Sequence, residues 1–101
     1  MSHPTLTNAE IRKLKAEAQR LEPVVRVGKN RLTPAVVYSI QQALTSRGLI
    51  KIRFDHEREE RDILAGEIAK ATEAALIMQV GKVAVFYRPK PPADESAPAR
   101  D

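Results

Sequence analysis

The residue types best suited to bind a ligand sit in one short stretch of this 101-residue chain, Val27-Gly28-Lys29-Asn30-Arg31-Leu32-Thr33-Pro34. Thr33 is a good helix N-cap and Pro34 a good first helical residue, so the stretch is a turn feeding a helix. Such a turn presents unpaired backbone N–H groups and the positive end of the helix dipole, which suits a phosphate. Gly28 lets a ligand approach the backbone, and Lys29 and Arg31 add charge. Asn30 tolerates left-handed geometry and can donate a hydrogen bond. The same residues also make an ordinary tight connection with solvated basic side chains, and the stretch by itself favours that plainer reading. It is neither the three spaced glycines of a dinucleotide site nor a nucleotide P-loop.

Other reactive constellations are not supported. There are no cysteines, which excludes disulfides, thiolate zinc clusters and thiol nucleophiles. His56-Glu57-Arg58-Glu59-Glu60 lacks the second histidine of a zinc-protease helix; the other histidine, His3, lies near the N-terminus. The run reads as a charged helix start with a Glu57–Arg61 pair, worth roughly 0.3 kcal/mol. No Ser/His/Asp order has a supporting context. The expectation is a protein without catalysis, metal, cofactor or small-molecule substrate.

Charge is unevenly placed. The net charge is +4, yet residues 1–54 carry +7 and residues 55–101 carry −3. Clustered basic residues create a directed field and point to a polyanion. Arg12, Lys13 and Lys15 on a first helix can extend a phosphate-tracking surface toward the turn, or form a solvated helix face. Arg26, Lys51, Arg53 and Arg88 are secondary candidates, the last three on the exposed side of a sheet. Tyr87, and less so Tyr38, could stack on bases; the alternative is a half-buried ring with its hydroxyl at the surface.

The elements that must position these residues follow from pattern. Thr7 and Glu10 form a capping box flanked by a Leu6–Ile11 staple, and Ile11, Leu14, Ala18 and Leu21 mark a buried helical stripe that Pro23 stops. Val24–Val27 is a short strand. A second helix from Pro34 shows Val36, Val37, Ile40, Ala43 and Leu44 on one face and ends at Gly48. Leu32–Ser46 has no charged residue, so burial of this helix on two sides is expected, a partner-facing helix being the alternative. Leu49–Phe54 alternates, with Ile50, Ile52 and Phe54 on one face and Leu49, Lys51 and Arg53 on the other. Asp55 or His56 opens a third helix with the stripe Leu64, Ile68, Ala71. Leu76–Val80 and Val83–Arg88 are strands joined by Gly81-Lys82, a two-residue loop suited to a type II′ turn. The order α-β-α-β-α-β-β makes one α/β domain, a four-stranded mixed sheet with three helices over residues 6–88. Residues 1–5 are expected to fray. Residues 89–101, rich in proline and poor in large apolar side chains, are expected to form a disordered tail.

Pro23-Val24-Val25-Arg26-Val27-Gly28-Lys29-Asn30-Arg31-Leu32-Thr33 resembles the signature turn of the CRM domain (chloroplast RNA splicing and ribosome maturation). Leu49-Ile50-Lys51-Ile52 resembles that family's second strand, and Val80-Gly81-Lys82-Val83-Ala84-Val85-Phe86-Tyr87-Arg88-Pro89 its closing hairpin. The resemblance covers about residues 5–90, and the single-domain length resembles the stand-alone bacterial YhbY-type members. It implies a fold similar to the C-terminal domain of translation initiation factor three. It also implies RNA binding and association with precursors of the large ribosomal subunit. The family turn is usually G-x-x-G. Gly28 matches the first glycine, Lys29 and Asn30 stand between, and Arg31 takes the second glycine's place. If that place needs positive φ, Arg31 is strained by about 1 kcal/mol; its guanidinium can instead contact phosphate directly.

The expectation is a monomeric cytoplasmic RNA-binding protein of ribosome assembly. It would grip backbone phosphate through Gly28–Arg31, have ribosomal RNA as its partner, and make no membrane contact. A translation factor-like module on mature ribosomes and a protein-interaction domain without RNA are the alternatives.

Overall fold

Residues 6–89 are described by a computed structural model. The elements run α1 (Asn8–Ala18), β1 (Pro23–Val27), α2 (Pro34–Arg47), β2 (Leu49–Phe54), α3 (Arg58–Thr72), β3 (Ala75–Val80) and β4 (Val83–Tyr87). The expected frayed start and proline-rich tail lie outside the described residues, Pro89 excepted.

Local chemistry sets the element ends. The Thr7 hydroxyl accepts from the Glu10 N–H, and the Glu10 carboxylate accepts from the Thr7 N–H, closing the capping box. The Thr33 hydroxyl accepts from the Val36 N–H, with Pro34 in the first turn of α2. Gly48 ends α2 at φ 81°, a region that favours glycine. Gly81 has φ 56°, whereas Lys82 has no positive φ. The hairpin is therefore type II′, since type I′ needs positive φ at both positions.

The sheet order is β1-β2-β4-β3. β1 runs parallel to β2, while β4 is antiparallel to both of its neighbours. The alternation of β2 sorts two cores. Ile50, Ile52 and Phe54 join Val27, Ile40, Leu44, Leu64, Ile68 and Phe86 beneath α2 and α3. Leu49 joins Ala18, Ile77 and Val85 on the other face, where Leu6, Ile11, Leu14 and Leu21 of the α1 segment pack. The alternating strand thus feeds both layers.

Four expectations are corrected. α3 begins at Arg58 with Glu57 as N-cap, not at Asp55 or His56. The Asp55 N–H instead donates to the Val27 carbonyl, and its carboxylate accepts from Arg26, so this residue is held by β1. The α3 stripe ends on buried Thr72, whose hydroxyl donates to the Ile68 carbonyl, while Ala71 is exposed. The Glu57–Arg61 side-chain pair does not form; the Arg61 guanidinium donates to the His56 carbonyl at 2.8 Å. Finally, α2 is buried on one side only. Ile40 and Leu44 face the core, while Ala35, Tyr38, Ser39 and Gln42 are exposed.

Candidate functional site

The turn between β1 and α2 is held by its own backbone. The Arg31 N–H donates to the Gly28 carbonyl at 2.9 Å, and the Thr33 N–H donates to the Arg31 carbonyl at 3.1 Å. Val27 is fully buried and anchors the strand side, while Lys29, Asn30 and Arg31 are exposed. Gly28 is not in the left-handed region, and a Cβ built on it meets nothing within 4 Å. Neither conformation nor packing within the described residues demands a glycine there. The backbone at Gly28 is thus open on its outer side.

Arg31 has φ 60°, an uncommon conformation for a residue with a side chain. Its guanidinium reaches α3 and donates to the Glu60 carboxylate at 2.5 Å. The turn is thereby clamped to the acidic helix. An anion arriving at Arg31 must share it with Glu60 or displace that carboxylate.

A second basic group gathers on the α1 side of the sheet. Arg26 and Arg53 are direct register partners. Like charges so placed repel, and Asp55 relieves the repulsion: Arg26 donates to its two oxygens at 2.8 and 3.2 Å. This hydrogen-bonded pairing holds the Asp55 carboxyl below its ordinary value, and the fields of Arg53 and Lys82 act in the same direction. Lys82 was not singled out from sequence. The β2–β4 register brings it in, with the Phe54 N–H donating to the Lys82 carbonyl at 2.8 Å; a sequence gives no direct signal for such a register.

The remaining candidates separate. Lys51 is half-buried on that same face, and its ammonium donates to the Leu21 carbonyl at 2.9 Å, tying the end of the α1 segment to β2. Arg12, Lys13 and Lys15 are exposed on α1, which lies across β2 and β3 on the face away from α2 and α3. Among the described residues no ion pair or hydrogen bond joins them to the turn. Lys13 borders a shallow hollow of about 260 Å³ with Leu6, Glu10, Leu14, Glu17 and Tyr87. Tyr87 is half-buried there, whereas Tyr38 on α2 is 65% exposed. The more accessible of the two aromatic faces is therefore that of Tyr38.

Arg88 is not on the exposed side of the sheet. It turns inward to the end of the α2–α3 layer and donates to the Gln41 side chain at 2.5 Å and the Thr72 carbonyl at 2.9 Å. It also donates to the Thr45 hydroxyl at 3.0 Å and the Gln41 carbonyl at 3.3 Å. Residue parity explains this: Ala84 and Phe86 face that core, and Arg88 continues their side of the strand.

Among the described residues no three His, Cys, Asp or Glu side chains group as a metal site, and no helix is long and apolar enough to cross a membrane. Residues 6–88 match the family model of the CRS1 / YhbY (CRM) domain. An "RNA-binding protein" of Haemophilus influenzae is 34% identical over 95% of this chain and 98% of its own length. A "probable RNA-binding protein" of Pseudomonas aeruginosa is 32% identical over 85% of this chain and 84% of its own. The solution structure of a hypothetical protein from Staphylococcus aureus superposes with a TM-score of 0.76 at 26% identity, covering 90% of this chain and 96% of that one.

Proposed function

Because this chain belongs to the CRS1 / YhbY (CRM) domain family, we propose that it binds RNA by gripping backbone phosphate on the Gly28–Arg31 turn and acts on ribosomal RNA in precursor large-subunit particles. RNA binding is what the names of its relatives state of them. The single observation that carries the placement is Gly28, a glycine that neither the conformation nor the packing of the turn requires. A phosphate can lie against its bare backbone, in the connection that leads from β1 toward the positive end of α2. Lys29 and Arg31 supply charge, and Asn30 a neutral donor.

The basic group Arg26, Arg53 and Lys82 and the α1 residues Arg12, Lys13 and Lys15 set orientation and add long-range attraction, as phosphate contacts do in RNA recognition generally. No bond is made or broken in this function, and the place of action is the cytoplasm. The ribosomal assignment draws on the domain's likeness to stand-alone bacterial members and is tested by crosslinking in cells followed by sequencing of the bound RNA. Reads concentrated in precursor large-subunit RNA support it. Reads in mature ribosomal RNA alone turn it toward a translation factor-like role, and reads in messenger RNA overturn it.

A further inference from the structure

The strand–turn–helix unit has a second usable surface. Between its two arms, directly below the turn, β1 and α2 leave a groove of about 280 Å³ lined by Val24, Val25, Arg26, Ala35, Val36 and Ser39. Val25 and Val36 pack on the core and form its floor; Val24, Ala35 and Ser39 are exposed at its rim. We propose that this groove takes an unpaired nucleobase of the strand whose phosphate lies on the turn. This makes single-stranded RNA the ligand class and the groove a base subsite. The inference rests on the RNA-binding reading above.

Three observations carry it. The first is charge. Positive residues crowd the turn, yet Leu32–Ser46 contains no charged residue, and its outer face is exposed rather than buried. A nucleotide has the same division, an anionic phosphate attached to a neutral, flat base. Burial does not account for the missing charges, because α2 buries only one side.

The second is the free edge. β1 is an edge strand. The Val27 carbonyl accepts from the Asp55 N–H on the β2 side, so strand alternation turns the N–H and C=O of Arg26 outward, away from β2, and Arg26 is one of the residues lining the groove. A donor and an acceptor side by side can pair with the edge of a base, and the Ser39 hydroxyl stands across from them on α2.

The third is continuity. The groove and the turn belong to one chain segment: Arg26 and Ala35, which line the groove, flank the turn in sequence, so phosphate and base of one nucleotide would meet neighbouring parts of the same unit. Tyr38, three residues beyond Ala35 and 65% exposed, lies on the neighbouring strip of the same helix. There an aromatic face is available to a following base. RNA readers commonly take single strands in this way, since duplex bases are stacked and out of reach.

The test is a fluorescence-anisotropy titration of the full chain with three RNAs of equal phosphate number. These are a mixed-sequence single strand, the same strand with abasic central nucleotides, and a perfect duplex. The intact strand should bind at least about ten-fold tighter than the abasic strand or the duplex. Filling the groove with Ala35→Leu plus Ser39→Leu, both at exposed helical positions, should reduce that preference to less than about two-fold while leaving abasic-strand affinity unchanged. Ser39→Leu alone serves the same reading if the double variant melts early. Equal binding of intact and abasic strands by the unaltered protein overturns the base subsite and leaves the phosphate reading standing. So does a preference that survives the filled groove. Absence of binding to all three RNAs overturns both.

Discussion

Arg31 and Glu60 are 29 residues apart, and their side chains meet at 2.5 Å across the gap between the turn and α3. The contact joins the basic half of the chain to the acidic half at the residue that takes the place of the family turn's second glycine. The backbone there is held at φ 60°, the guanidinium is held by a carboxylate, and both partners remain partly solvated at 49% and 43% exposure. An ion pair that exposed contributes only about 0–1 kcal/mol, so its interest lies in what it does to an incoming phosphate. Glu60→Gln should tighten RNA binding about two- to five-fold at low salt, by removing the competing charge and freeing Arg31. A binding titration of the two proteins checks this, and weaker binding by the Gln variant contradicts it. Arg31→Gly should leave stability within about 0.5 kcal/mol, because relief of left-handed strain and loss of the exposed pair oppose each other. RNA affinity should fall in the same variant.

Gly28→Ala separates folding from binding. With no positive φ to lose and open space around the new Cβ, the variant should be as stable as the parent or more stable by up to about 1 kcal/mol, from the stiffer unfolded chain, and should melt no lower. Its RNA affinity should nonetheless drop several-fold, since a methyl group now stands between phosphate and backbone. A marked loss of stability in thermal melts would show that the glycine serves the fold instead.

Arg88 closes the α2–α3 layer. Its guanidinium satisfies two backbone carbonyls and two side chains, and its own N–H donates to the Gly48 carbonyl at 2.8 Å. Hydrogen bonds to a charged group are worth about 1.5–3 kcal/mol. Arg88→Ala should therefore lower stability by about that much, read by urea unfolding, with RNA affinity per folded molecule within about two-fold of the parent. A stable variant that fails to bind RNA would place Arg88 in the interface.

Much of this architecture was legible because its signals are local. Thr7–Glu10, Thr33-Pro34 and Gly81-Lys82 each specify a cap or a turn from neighbours in sequence, and the alternation in Leu49–Phe54 announces two faces. The charge of Arg88 points to the exposed side of the sheet, whereas its strand parity with Ala84 and Phe86 assigns it to the core side, and that parity is informative only once their own face is known. The Asp55 misreading has the same origin. An acidic residue before a helix resembles a cap, but the parallel pairing of β1 with β2 places Arg26 beside it. One-sided burial of α2 depends on how three helices divide over two faces of a sheet, which periodicity within one helix does not contain. The turn was recognisable as suited to phosphate, whereas its clamp to Glu60 depends on how α3 packs.

Asp55 gives the fold an acid limb. Its carboxyl is held below the ordinary value by the hydrogen-bonded Arg26, against a smaller opposing effect of burial. A group whose folded pKa is depressed contributes stability above its unfolded pKa, about 3.9 for Asp, and loses it as pH falls through the lower folded value. Asp55→Asn should therefore be less stable than the parent at neutral pH and approach it in strong acid. Carboxyl chemical shifts should place the Asp55 midpoint below the free-Asp value. A midpoint at or above that value contradicts the pairing.

The central claim, that RNA backbone is held at the Gly28–Arg31 turn, meets its most direct test in a salt series. Binding of single-stranded RNA is measured across a range of KCl concentrations for the parent protein and for the Lys29→Ala plus Arg31→Ala variant, with thermal melts confirming that both are folded. The parent should show log K falling steeply and linearly with log[KCl], and the variant should bind more weakly with a slope shallower by about one to two. Superimposable lines for the two proteins would contradict the claim and move the phosphate contacts away from the turn.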